Sequence, residues 1–211
     1  EEKSEIIHKM EPMDILLEKA PFRLTDYFIP GYWCHVGVWA GNEDQLKSLG
    51  VWDSLSHLYE LAVERYAYNG PSFQTSIRSG HNIIESLRPG VQINTLQNFL
   101  NIDDLGVIRF TTQSDIEKKT YLLNAFSQIG KNYDFSFNVE STDEIVCSEL
   151  VYASFEDLVW DTKKQLGRYT ISPDQVARKL ITDKRFEPVL LYLNGNYVDG
   201  ELKTVFNALL D

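Results

Sequence analysis

The stretch Asp143-Glu144-Ile145-Val146-Cys147-Ser148-Glu149-Leu150-Val151-Tyr152 constrains this chain most, because it runs a cysteine straight into an amphipathic pattern. Leu150, Val151, Leu158 and Val159 recur at roughly helical spacing, and Glu149, Glu156 and Asp157 fall on the outward side. The pattern predicts a helix that lays an aliphatic stripe on a core. With Cys147 in its first turn, unpaired N–H groups and the positive end of the macrodipole favour thiolate over thiol, which makes the sulfur a nucleophile. Two other readings stand beside this one. Free cysteine is among the most buried residue types, so packing alone accounts for a thiol in an apolar helix. Ser141-x-x-Glu144 also reads as a capping box, and a helix beginning at Ser141 puts Cys147 in its second turn.

A nucleophile needs a base, so the histidines come next. Tyr32 to Ala40 is rich in β-branched and aromatic residues and reads as a central strand. Its two-residue period sets His35, Gly37 and Trp39 on one face and Cys34, Val36, Val38 and Ala40 on the other. Cys34 is therefore read as a core thiol, and Gly37 leaves room for another group to approach His35. A hydrogen-bonded core histidine is the alternative. His81 to Leu87 forms a second strand pattern, closed by Arg88-Pro89-Gly90, with Glu85 between Ile83 and Leu87 on one face. A carboxylate so placed is either solvated at a sheet edge or accepts a hydrogen bond from His35 on a neighbouring strand, which fixes the imidazole tautomer. His81 competes for that role, and His57 is read as a surface or packing residue.

The remaining pattern is mixed. Strands are expected at 13–18, 91–93, 105–110 and 186–193, and helices at 42–50, 52–68, 114–129, 173–180 and 202–210. Asn194-Gly195 signals a type I′ hairpin. Residues 1–12 read as a polar N-terminal arm, with 1–11 either frayed or a short surface helix, and 13–211 as one domain, because apolar residues are spread evenly and no linker or repeat interrupts them. Tyr133 offers a phenol to the site. Tyr32, Trp33, Trp39 and Phe135 either line an apolar groove or belong to the core. The net charge of −11 disfavours nucleic acid and anionic lipid as partners. No apolar run approaches the roughly 18 residues of a membrane span. The four histidines are too scattered for a zinc site, so no metal and no cofactor is expected. The chain begins Glu1-Glu2-Lys3 without an initiator Met, which is read as a processed N-terminus.

The order of parts is informative: Trp33-Cys34-His35-Val36-Gly37-Val38, then Ile83-Ile84-Glu85, Val107-Ile108-Arg109, Tyr133-Asp134-Phe135 and Cys147-Ser148-Glu149-Leu150-Val151. It resembles the circularly permuted papain-like cysteine hydrolases of the NlpC type, the YiiX/YebB-like branch, in which the histidine strand precedes the cysteine helix. The likeness spans residues 13 to 173, with Met13-Asp14 where that family has Gly-Asp. It implies an α+β, papain-like fold of permuted topology, an antiparallel sheet packed against helices, here with an extra C-terminal helix and hairpin. It also implies Cys147 as nucleophile at the start of its helix, His35 as general base and Glu85 as the orienting third residue. Acyl hydrolysis or transfer through an acyl-enzyme would follow, with the Cys147 N–H and Tyr133 at the oxyanion and Tyr133 and Trp33 against the substrate. A cell-wall peptide or a lipid-like acyl group is the implied small substrate, in an extracytoplasmic setting. The alternative is a non-catalytic binding module that keeps the hydrolase fold, or a purely structural thiol. Oligomeric state is not read from the sequence.

Overall fold

A computed structural model describes residues 2–20, 31–100, 102–134, 145–165 and 168–211. Its frame is one antiparallel sheet built from β1 (Ile15–Lys19), β2 (His35–Trp39), β3 (His81–Leu87), β4 (Gly90–Thr95), β5 (Asp104–Phe110), β8 (Phe186–Leu193) and β9 (Asn196–Tyr197). The strands lie in the order β4-β3-β2-β1-β5-β8-β9. A separate ladder pairs β6 (Lys163–Gln165) with β7 (Arg168–Thr170). At the β8–β9 turn, Asn194 and Gly195 have φ of 49° and 73°, as a type I′ turn requires.

Side chains alternate across the strands, so the sheet buries two separate cores. On one face Val36, Val38, Ile84 and Ile108 pack against α3 (Ser54–Tyr66), α6 (Asp115–Ser127) and α7 (Cys147–Ser154), through Leu55, Leu122, Phe126, Leu150 and Val151. On the other face Leu16, Trp39, Ile83, Val107 and Leu190 pack with Phe99 of α5 (Leu96–Phe99). The N-terminal residues join this second core: α1 (Glu2–Lys9) buries Ile6 there, and Met10 follows it. Of the two forms expected for the arm, frayed chain or short helix, it takes the helix, and that helix covers apolar sheet.

Arg109, the one cation on β5, is half-buried and fully engaged. Its Nε and Nη2 donate to the two Asp14 oxygens at 2.7 Å each, and Nη2 also donates to the Lys9 carbonyl at 2.7 Å, which fastens the end of α1 to the sheet. The C-terminal α10 (Leu202–Leu210) packs Phe206 against Trp33, with ring centroids 5.9 Å apart. Gly106 makes that contact possible, since a Cβ there would lie 2.8 Å from the Phe206 ring and 2.9 Å from Trp33.

Besides the unexpected β6–β7 ladder, three elements differ from the pattern reading. The helix expected to run through Val159 stops at Ser154, because Phe155 (φ −104°, ψ 59°) turns its ring into the core against Tyr121 at 4.8 Å, and Val159 is left 83% exposed. The 173–180 helix is broken at Arg178 into α8 (Pro173–Ala177) and α9 (Lys179–Thr182). A short helix, α4 (Phe73–Arg78), capped by Ser72, joins α2 (Glu43–Ser48) and α3 and was not signalled by periodicity. No described helix is long and apolar enough to cross a membrane.

Candidate active site

Cys147 is the first residue of α7, after an extended Val146 (φ −93°, ψ 171°). Here the helix start has no side-chain cap from Val146. Instead Glu149 reaches back and its Oε2 accepts the Val146 N–H at 2.9 Å. The entry to the helix is fixed on three sides. Ser86 Oγ donates to the Ile145 carbonyl at 2.6 Å, the Ile145 N–H to the Asn132 carbonyl at 3.0 Å, and Ser148 Oγ to the Ile171 carbonyl at 2.7 Å. The competing capping box at Ser141 and Glu144 lies outside the described residues, as does Phe135.

His35 opens β2. Its Nε2 lies 2.7 Å from Glu85 Oε2, and Glu85 Oε1 accepts a hydrogen bond from Asn94 Nδ2 at 2.7 Å. With Nε2 occupied, Nδ1 is the nitrogen left for the sulfur. Burial opposes the charged imidazole. The charge of Cys147, hydrogen bonds to Cys147 and Glu85, and the charge of Glu18 outweigh it and hold the His35 pKa well above its ordinary value. Cys147, His35 and Glu85 are therefore brought together, and all three are buried.

Their approach is not obvious from strand parity. Alternation sets His35 on the face of Phe99, whose ring centroid is 5.8 Å from the imidazole, whereas Cys147 packs in the core of the opposite face. The β2–β3 ladder ends at the pair Gly37↔Glu85, so His35 lies beyond its last rung. At that point the thiol and the imidazole meet around the end of the ladder.

A family model described as permuted papain-like amidase enzymes, YaeF/YiiX, C92 family, matches residues 9–206. The chain belongs to the C92 family. It is similar in structure to a chain described as metalloprotein yiiX from Escherichia coli O157:H7, with a TM-score of 0.50 and 17% identity over 84% of this chain and 82% of that one. Among curated proteins none matches. Membership makes this chain a permuted papain-like cysteine hydrolase in general terms, and the α+β architecture with the histidine strand ahead of the cysteine helix agrees with it. Among the described residues no group of three or more His, Cys, Asp or Glu could hold a metal ion.

The other sequence candidates of this C92 chain fall in different places. Tyr133 is buried beside the cysteine. Burial first, then the charge of Cys147, raises its phenol to about 12, with Arg88 acting in the other direction and Glu149 and Asp134 adding to the rise. Trp33 and Trp39 are core side chains, 0% and 2% exposed, and Tyr32 is tied by its hydroxyl to Asp104 at 2.6 Å with Lys19 over its ring. Of the two readings left open for the aromatics, groove or core, Trp33 and Trp39 take the core. His81 pairs with Ser79 Oγ at 3.0 Å, away from His35, and His57 is a surface residue near Glu60. Cys34 is a core thiol whose Sγ donates to the Glu18 carbonyl at 3.3 Å.

Pattern reading missed Asn94, Glu18 and Glu149. Asn94 becomes visible only when β4 is set in register against β3. Glu18 ends an apolar run in the sequence, and the position of its side chain beside His35 depends on the β1–β2 register. Glu149 has a local signal, three residues after the residue that precedes the helix. It is buried with its Oε1 unpaired, and burial chiefly, with Asp134 adding and the Val146 N–H opposing, raises its carboxyl to about 7.

Proposed function

We propose that this C92 chain hydrolyses an amide or ester through a Cys147 acyl-enzyme. The Cys147 sulfur forms a bond to the acyl carbon. The tetrahedral oxyanion receives the Cys147 backbone N–H, free of intrahelical bonding at the first helical position, and the Tyr133 hydroxyl. His35, protonated at Nδ1 by the thiol, gives that proton to the leaving nitrogen or oxygen as its bond to carbon breaks. His35 then takes a proton from water, whose oxygen attacks the thioester, and the thiol is regenerated. Glu85 holds the ring through Nε2 in the tautomer this sequence needs, and Asn94 holds Glu85.

The observation that supports this reading is the 2.7 Å His35–Glu85 contact on an imidazole that also interacts with the side chain of Cys147, the first residue of α7. The substrate is a peptide amide of cell-wall type or a lipid-like acyl group. The net charge of −11 favours neutral or cationic substrates over anionic polymers. Iodoacetamide labelling of Cys147 near neutral pH, followed by turnover of an amide and ester panel, tests it. His35→Ala is expected to slow labelling by about tenfold or more and to abolish turnover. Equal labelling of wild type and His35→Ala would overturn the dyad. Fast labelling without turnover of any panel member would favour the binding-module reading.

A further inference from the structure

In the β1–β2 ladder the residue directly across from His35 is Glu18. Directly opposed residues of an antiparallel pair project from the same face, with Cβ atoms about 5 Å apart. Both are buried, Glu18 at 1% and His35 at 5% exposure. The backbone under Glu18 is fixed by the core thiol residue: its carbonyl accepts the Cys34 N–H at 2.9 Å and the Cys34 Sγ at 3.3 Å. Glu85 stands on the strand at the other side of His35. The ring is thus bracketed by one carboxylate from β1 and one from β3, with the sulfur of α7 completing the set of charged groups that act on it.

We propose that Glu18 is a second positioning carboxylate for His35, holding the imidazole in its protonated form from the β1 side as Glu85 does from the β3 side. The proposal rests on the acyl-enzyme reading, in which a protonated His35 must reach the leaving group. A single carboxylate would satisfy the tautomer requirement. A second one adds negative charge on the other side of the ring, and so extends to higher pH the range over which the thiolate–imidazolium pair persists. Cys34 then has a role as well, since it fixes the backbone from which Glu18 projects.

The test compares the rates at which full-length protein is alkylated at Cys147 by iodoacetate and by iodoacetamide as pH is raised. An imidazolium beside the sulfur attracts the anionic reagent, so the ratio of the two rates falls where His35 loses its proton. Glu18→Gln is expected to move that midpoint down by about one pH unit, and Glu18→Asp to restore most of the shift. Glu85→Gln, with Glu18 intact, is expected to keep the midpoint above the ordinary imidazole value of about 6.5. A Glu18→Gln midpoint that coincides with wild type overturns the proposal. If Glu18→Gln does not fold, the Glu85→Gln arm decides, and a midpoint that drops to the ordinary value there overturns it too. Persistence of the ratio's pH dependence in His35→Ala would instead remove the dyad itself, which separates the two failures.

Discussion

Glu149→Gln offers the most quantitative check on how the Cys147 end of α7 is built. The Glu149 carboxyl is 3% exposed, and its pKa is raised from an ordinary 4.5 to about 7. At about 1.4 kcal/mol per pH unit, that shift corresponds to about 3 kcal/mol. Because the folded-state pKa lies above the unfolded one, the folded protein binds the proton more tightly. The resulting stabilisation is complete below about pH 4.5 and is lost as pH rises through about 7. Glutamine keeps an oxygen for the Val146 N–H but does not titrate. Its amide nitrogen would replace the unpaired Oε1, a pH-independent cost of about 1–3 kcal/mol. Urea unfolding of both proteins from about pH 4.5 to 8 isolates the titration, because the contribution of His35 is common to both and cancels in the difference. The stability of Glu149→Gln relative to wild type should rise by about 3 kcal/mol across that window. A difference that stays flat within about 0.5 kcal/mol, or falls with pH, would refute the assignment of a buried carboxyl with a raised pKa two residues from Cys147.

Two further outcomes are expected. Asn94→Ala removes the 2.7 Å hydrogen bond to Glu85 Oε1 and should lower kcat/KM by about tenfold, the worth of one hydrogen bond to a charged group. Steady-state kinetics on any turned-over ester would read this, and an unchanged kcat/KM would show that Glu85 does not need Asn94 to orient His35. Arg109→Met leaves the fully buried Asp14 carboxylate without its bidentate partner and should destabilise the fold by about 3–5 kcal/mol, measured by urea unfolding at neutral pH.

Much of the site was legible because each of its parts has a local signature. The cysteine before an aliphatic stripe, the histidine two residues from a glycine on a β-rich run and a glutamate between aliphatics on a strand can each be read without knowing the fold. The Asn194-Gly195 turn was equally legible, because its backbone geometry is a property of those two residues. What escaped was set by register and packing. Asn94 and Glu18 acquire their positions from which strand lies beside which, and a sequence does not print that pairing. Trp33 looked like a groove residue because hydropathy does not distinguish an aromatic lining a cleft from one sealed under α10. Phe155 looked like one more turn of α7, and only its contact with Tyr121 turns the chain out of the helix.

The same distinction explains how strand parity can put the histidine and the cysteine on different faces while the two still meet. Parity constrains a side chain only where a neighbouring strand walls it off. The β1–β2 ladder continues through Glu18↔His35, whereas the β2–β3 ladder stops at Gly37↔Glu85. The backbone of His35 is therefore paired on its β1 side but not on its β3 side, where only the Glu85 side chain reaches it and where the start of α7 is anchored to β3 by the Ser86 hydrogen bond to Ile145. A site assembled from one end of β1, β2 and β3 and the first turn of a helix needs those ends to converge, and it does not need them in any one chain order. Cutting and rejoining the chain would change which loops connect these ends, but not the rung at which the ladder opens.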